Sequence, residues 1–168
     1  MASLLNSIYA RDVMSMPVAY VMDETPLQEV AKLLLREGIS GAPVLDQGGR
    51  LVGMISEGDL VRRHSGLSAN RRSWWLDLFE DDARHSREFL NYLQHHGLRA
   101  RDVMTRDVIA VEEHAPISQI ADLLERHRIK RVPVLKVGKV VGIVSRADLL
   151  KAISTATPTP SRATRRRH

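Results

Sequence analysis

The amino-acid sequence predicts an α/β chain of the α+β kind, built from two β-α-β-β-α repeats packed with pseudo-twofold symmetry and separated by a helical insertion. Three observations carry this expectation. The segment Ala10-Arg11-Asp12-Val13-Met14 returns ninety residues on as Ala100-Arg101-Asp102-Val103-Met104. In the same register Pro26, Ala31 and Pro43-Val44-Leu45 match Pro116, Ala121 and Pro133-Val134-Leu135. After a one-residue deletion in the turn Gln47-Gly48-Gly49, Gly53, Ser56 and Asp59 match Gly142, Ser145 and Asp148. Self-similarity of this kind governs the whole reading of a chain.

The elements follow in order within each repeat. A short strand comes first. Pro26, suited to a first helical turn, is followed by Leu27, Val30, Ala31 and Leu34, and Pro116 by Ile117, Ile120, Ala121 and Leu124. These i, i+3, i+4, i+7 spacings predict two helices that are apolar on one side. Short apolar runs at 42–45 and 51–55, turning at Asp46-Gln47-Gly48-Gly49, predict a pair of strands; 132–137 and 140–144, turning at Gly138-Lys139, repeat it. Asp59-Leu60 and Asp148-Leu149 then open a second helix. A unit of this size cannot bury both faces of a three-stranded sheet by itself, so the two copies are expected to pack together and leave two related clefts. A purely structural duplication with empty clefts is the bland alternative.

The expected boundaries are 1–64 for the first repeat with its lead-in, 65–98 for the insertion, 99–154 for the second repeat and 155–168 for a basic, flexible tail. In the insertion, Trp74, Trp75, Leu76, Leu78 and Phe79 are dense in apolar bulk, and a helix is expected from about 82 to 96. Left exposed, the two Trp would cost solubility, so the segment reads as a clasp over a core edge or subunit contact, or as a lid over a cleft.

Composition narrows the function classes. There is no Cys, hence no disulfide framework, no thiol nucleophile and no cysteine-rich metal site. No apolar run is long enough to span a bilayer, and residues 1–10 lack the features of a secretory signal, so no membrane association and a cytoplasmic location are expected. The net charge of +5 owes four units to Arg162, Arg165, Arg166 and Arg167 in the tail. A basic face on the folded part is therefore not supported, and the tail reads as a solvated charge run before it reads as a nucleic-acid or membrane binder. The His residues show no metal-ligand spacing, and no nucleophile elbow, P-loop or dinucleotide turn is present. An enzyme is not expected.

The candidate chemistry lies in Gly-x-x-Ser-x-x-Asp. A strand ends at Ser56 or Ser145 and a helix begins, so free N–H groups and the positive end of the helix dipole favour an anion. Asp59 and Asp148, one turn in, can each accept two hydrogen bonds. Ser-x-x-Asp also satisfies a capping pattern, and the two roles are compatible.

The pattern of Arg-Asp-Val-Met, a Pro-initiated helix, Pro-Val before a hairpin and Gly-x-x-Ser-x-x-Asp-Leu resembles the cystathionine β-synthase type of repeat, the CBS domain. It occurs twice, as in the paired arrangement called a Bateman module. The resemblance implies adenosine-containing ligands, namely AMP, ADP, ATP, S-adenosylmethionine or NAD-type molecules, and further association into a homodimer of modules. No cofactor is required. Carried over by residue, Ser145 and Asp148 would work with Ser15, Val18, Ala19 and Tyr20 of the other repeat's first-strand segment, and Ser56 and Asp59 with Thr105, Val108, Ile109 and Ala110. Lys130 and Arg131, before Pro133, and Arg146 would reach phosphate, whereas Ser40-Gly41 precede Pro43 and Glu57 follows Ser56. Charge-assisted bonds to phosphate outweigh neutral ones, which makes the Asp148 cleft the expected site of a phosphorylated ligand.

The expectation is thus a regulatory adenine-nucleotide sensor acting on a protein partner in trans. The alternatives are a scaffold with vestigial clefts, or nucleic-acid binding through the Arg tail.

Overall fold

The structure is a computed structural model that describes residues 7–64 and 97–156. The expected insertion helix, Trp74-Trp75 and nearly all of the basic tail lie outside the described residues. The first repeat supplies β1 (Val21–Met22), α2 (Leu27–Glu37), β2 (Gly41–Leu45), β3 (Leu51–Ser56) and α3 (Glu57–His64). The second supplies β4 (Val111–Glu112), α5 (Ile117–Arg126), β5 (Arg131–Lys136), β6 (Lys139–Ser145) and α6 (Arg146–Ala156). Each repeat is preceded by a one-turn helix that the apolar spacing does not announce: α1 (Ala10–Val13) and α4 (Ala100–Val103).

Both sheets have three strands, in the orders β1-β2-β3 and β4-β5-β6. β1 runs parallel to β2 with Val21 opposite Val44 and Met22 opposite Leu45, while β3 runs antiparallel on the other side, Ala42 opposite Ile55 and Val44 opposite Gly53. β4 runs parallel to β5 with Val111 opposite Val134. Pro43 and Pro133 sit inside the middle strands although proline lacks an N–H. The short outer strands pair only from Val44 and Val134 onward, so no partner on that side asks for the missing donor.

Burial explains the helices. Leu27, Val30, Ala31 and Leu34 of α2 are buried with Ala42, Val44 and Ile55 of the sheet and Leu60 of α3. Glu29 in the first turn and Arg36 in the last complement the helix dipole, and Gly38, at φ 62, ends the helix in the left-handed region with its N–H on Leu34 and Leu35 carbonyls. In α5 the buried side is Ile117, Ile120 and Leu124. Ala121, expected in that stripe, is instead exposed: it lines a groove between α5 and α6 with Leu149, Leu150 and Ile153.

The chain divides into two compact units that do not follow the repeats. One gathers residues up to Met16 with Ala110–Lys136 and the chain from Val141; the other gathers Pro17–Ile109 with Val137–Val140. The lead-in of the first repeat therefore belongs with the body of the second, and the lead-in of the second with the body of the first. The hydrogen bonds say the same. Ala10 N–H donates to Ala115 O (2.8 Å), Arg11 N–H to Glu113 O (3.1 Å) and Ile117 N–H to Ile8 O (3.0 Å). In the other unit, Ala100 N–H donates to Thr25 O (2.8 Å), Arg101 N–H to Asp23 O (3.0 Å) and Leu27 N–H to Leu98 O (3.0 Å). Thus the first free N–H of α2 and of α5 is satisfied by the neighbouring repeat's lead-in.

The duplicated Ala-Arg-Asp-Val-Met now has a physical reason at most positions. Ala10 and Ala100 are fully buried, where a larger side chain would push the lead-in off. Asp12 accepts from Tyr9 N–H (2.9 Å) and Asp102 from Arg99 N–H (2.7 Å), capping each short helix. Met14 and Met104 lie across a glycine of the opposing strand. A Cβ on Gly142 would sit 2.2 Å from Met14 Sδ and 2.9 Å from its Cβ, and one on Gly53 would sit 2.4 Å from Met104 Sδ. Ser15 then bridges Ile143, and Thr105 bridges Met54, each as an isolated antiparallel bridge.

The two hairpins differ in their turns. Asp46 closes the first: its carboxylate accepts Arg50 N–H and Nε, each at 2.9 Å. The Arg50 backbone N–H, aided by the guanidinium, holds the Asp46 carboxyl below its ordinary value against the opposing effect of desolvation. The second turn places Val137 at φ 50 before Gly138 at φ 74, with Val137 92% exposed. A β-branched residue gains nothing there to offset the left-handed backbone. Arg128, at φ 53, stands where the first repeat has Gly38.

Two outcomes are expected in chemical denaturation. Gly142→Ala lowers stability by about 1–3 kcal/mol, because the Cβ displaces Met14 and the strand it anchors; an unchanged midpoint would contradict the crossing. Val137→Asn raises stability by about 1 kcal/mol, since Asn tolerates the left-handed region; a loss would show that Val137 makes a contact worth more than the strain.

Candidate functional site

The end of the last strand in each repeat is built the same way. In α6, Ser145 N–H and Oγ–H both donate to Asp148 Oδ2, at 2.8 and 2.6 Å, and Asp148 N–H returns a bond to Ser145 Oγ at 3.3 Å. This is a reciprocal capping box. In α3, Ser56 N–H and Oγ–H donate to Asp59 Oδ2 at 2.8 and 2.7 Å. Capping is therefore realised in both repeats, and it fixes the carboxylate at the mouth of the helix. In Asp148 it engages Oδ2, and the residue lines a hollow.

That hollow, of about 440 Å³, is lined by Ile8, Asp12 and Val13 from the lead-in and by Asp148, Lys151, Ala152 and Thr155 from α6. Its size falls within the range of small-molecule sites. Ser15, which does not line the hollow, donates its N–H to Ile143 O (2.9 Å), two residues before Ser145. Asp59 is more enclosed, at 8% exposure, and Thr105 is held against Met54, two residues before Ser56, by a bond of 2.9 Å in each direction.

The three basic residues expected at the Asp148 site lie in the same unit as Asp148, but none of them lines that hollow, and Arg146 lines the groove between α5 and α6 instead. Arg146 N–H donates to Lys130 O at 3.2 Å, so the approach to β5 touches the first turn of α6, and Arg131 and Pro133 follow in that strand. The equivalent bond in the other unit runs from Glu57 N–H to Ser40 O, also at 3.2 Å. One backbone geometry thus carries Lys and Arg in one copy and Ser and Glu in the other. The Arg146 guanidinium does not remain at its own helix start. Its Nη2 reaches Leu124 O at 3.4 Å, where the last carbonyls of α5 attract a cation. The sequence carries no signal for that detour, because it depends on where α5 ends.

The other residues of the expected sets fall as follows. Ser145, Asp148, Arg146, Lys130, Arg131, Pro133, Ser15 and Ala110 belong to one unit; Ser56, Asp59, Thr105, Val108 and Ile109 belong to the other, together with Val18, Ala19 and Tyr20. Val18, Ala19 and half-exposed Tyr20 lead into β1, and Val108, Ile109 and Ala110 into β4. Among the described residues, no group of three or more His, Asp or Glu side chains could hold a metal ion, and no helix is long and apolar enough to cross a membrane.

Comparison with known proteins bears on this arrangement. The chain is 38% identical over 152 residues to an uncharacterized protein of Methanocaldococcus jannaschii, covering 85% of this chain and 89% of that one. It spans 22%, 14% and 57% of the length of three other curated relatives. Among solved structures, the CBS domain of a CBS domain containing membrane protein from Sphaerobacter thermophilus superposes with a TM-score of 0.69 at 36% identity, over 89% of this chain and 90% of that one. CBSX2 in complex with AMP superposes with a TM-score of 0.66 at 24% identity, over 89% and 98%. The model of the CBS domain matches residues 10–66 and again 100–155, the two segments that the internal repeat delimits. The chain belongs to the CBS domain family and carries two copies of the domain.

Proposed function

We propose that this protein is a regulatory module that binds an adenosine-containing ligand and passes the binding state to a protein partner in trans. The observation that carries the reading is the contrast between the two helix starts. The same strand-cap-helix geometry is joined to Lys130 in one unit and to Ser40 and Glu57 in the other. A phosphorylated ligand fits the first. Its ribose hydroxyls would donate to Asp148, its phosphate would be drawn by the positive dipole end of α6 with Lys130 beside it, and its adenine edge would meet backbone of the Ser15 segment. Arg146 would join by leaving Leu124, and Arg131 by its place one residue further into β5. The Asp59 site, with Glu57 beside it, suits a less anionic ligand or none.

AMP bound to a CBS pair of the same fold supports the ligand class. Such a ligand regulates only through its difference in affinity between two arrangements of the module. A second copy of the chain is the partner that the exposed apolar side of α6 fits first: Leu150 and Ile153 are 68% and 43% exposed beside the groove with α5. A scaffold whose sites bind nothing is the competing reading. The self-sufficiency of the Ser145–Asp148 cap, complete without any ligand, is what favours it.

Calorimetric titration of the dialysed protein with AMP, ADP, ATP, NAD and S-adenosylmethionine separates the two. Binding of at least one of them below about 1 mM is expected. Asp148→Asn, which keeps an acceptor for the cap, should weaken it about tenfold or more, as loss of bonds to a charged group does. Lys130→Glu should weaken the phosphorylated ligands more than S-adenosylmethionine. No binding of any of the five, or equal affinities in all three proteins, would leave the scaffold reading standing.

A further inference from the structure

The two lead-in helices are clamped by different chemistry. In the unit of the first repeat, Arg99 and Arg101 of the lead-in both pair with the carboxylate of Glu24. One repeat further on, the counterpart of Glu24 is His114 and the counterpart of Arg101 is Arg11. Arg11 Nη1 lies 2.6 Å from His114 Nδ1. A guanidinium can only donate, so Nδ1 must be the acceptor. The contact thus needs an Nδ1 without a proton; the other ring nitrogen, Nε2, lies 3.4 Å from Glu113 Oε1.

We propose that His114 is a proton-operated latch on the N-terminal lead-in. Uptake of a proton at Nδ1 removes the acceptor and sets a cation against the Arg11 guanidinium, which loosens Ala10–Val13 from the second repeat. The Arg99–Glu24–Arg101 clamp contains no imidazole and has no such step.

The surrounding charges decide the sign. Glu113 attracts an imidazolium, but it is shared with Lys136, whose Nζ lies 3.2 Å from the same Oε1. On the lead-in itself, Asp12 Oδ1 is 3.8 Å from Arg11 Nε, and the guanidinium also stands 5.1 Å over the Tyr9 ring. With neutral His114 the group Arg11, Asp12, Glu113 and Lys136 balances; protonation leaves it with one excess positive charge. The shortest contact, Arg11 to Nδ1, is also the one that cannot survive a proton on that nitrogen. Arg11, Asp12, His114 and Lys136 are exposed at their side chains, with Glu113 part-buried among them, so the latch is worth a few-fold in local opening rather than global unfolding. It has a functional address nonetheless, since Asp12 and Val13 of the same turn line the hollow beside Asp148. The latch acts on the lead-in whatever that hollow binds.

Amide hydrogen exchange by NMR on the full ligand-free chain tests this with an internal control. The Ala10 and Arg11 amides report the His114 latch through their bonds to Ala115 and Glu113; the Ala100 and Arg101 amides report the Glu24 clamp through theirs to Thr25 and Asp23. After correction for intrinsic rates, lowering the pH from about 8 to about 6 should reduce protection of the first pair about two- to fivefold relative to the second. His114→Gln, which offers Arg11 an acceptor oxygen but takes up no proton, should hold the ratio at its high-pH value, and so should His114→Glu. A ratio that does not fall with pH in the unaltered protein, or one that still falls in both variants, would overturn the latch.

Discussion

Each lead-in is seated by a methionine that crosses a glycine. Met14 lies over Gly142 and Met104 over Gly53 so closely that neither glycine has room for a Cβ. The contact does two things at once. It lets the lead-in backbone approach the outer strand closely enough for Ser15 to pair with Ile143 and Thr105 with Met54, and it makes each unit depend on residues from the other repeat. A fifty-residue repeat has too little apolar surface to stand alone. Exchanging lead-ins covers the deficit with buried Ala10 and Ala100 and with backbone bonds to the first turns of α5 and α2, so each half is completed by a segment of the other repeat.

The site inherits its geometry from that seating. Gly142 and Ser145 belong to one strand, as do Gly53 and Ser56, so the methionine that fixes the strand against the lead-in also fixes the position of the cap three residues on. The carboxylates of Asp148 and Asp59 are then held by two short bonds each before any ligand arrives. Preorganisation of this kind reduces the ordering cost of binding. What distinguishes the two copies is charge laid over a common backbone: Lys130 at the bond to α6, Ser40 and Glu57 at the bond to α3. The clamps on the lead-ins show a parallel divergence, Glu24 in one copy and His114 in the other, so the two copies share a skeleton and differ in the polar groups on it.

Much of this was legible in the amino-acid order. The helices α2 and α5 followed from apolar spacing after Pro26 and Pro116, the hairpins from apolar runs around glycine turns, and the capping partners from Ser-x-x-Asp. The one-turn helices α1 and α4 were not, because four residues are too few to display a period; their cue was the exact return of Ala-Arg-Asp-Val-Met, which marked a constraint without naming its form. Ala121 fitted the stripe of α5, yet the presence of α6 alongside makes its position a groove wall. Arg146 read as a phosphate ligand by its place after Ser145, and its guanidinium instead found the carbonyl end of α5, a partner twenty-two residues away that no local pattern specifies. Arg128 and Val137 in left-handed backbone break the local preference for glycine or asparagine, which only the backbone angles reveal.

The exchange of lead-ins is the claim on which the rest depends, and nuclear Overhauser contacts of the methionine ε-methyl groups test it most directly. The account predicts that the Met14 methyl shows contacts to the α-protons of Gly142 and the Met104 methyl to those of Gly53. Contacts of Met14 with Gly53 and of Met104 with Gly142, each lead-in returning to its own repeat, would contradict it.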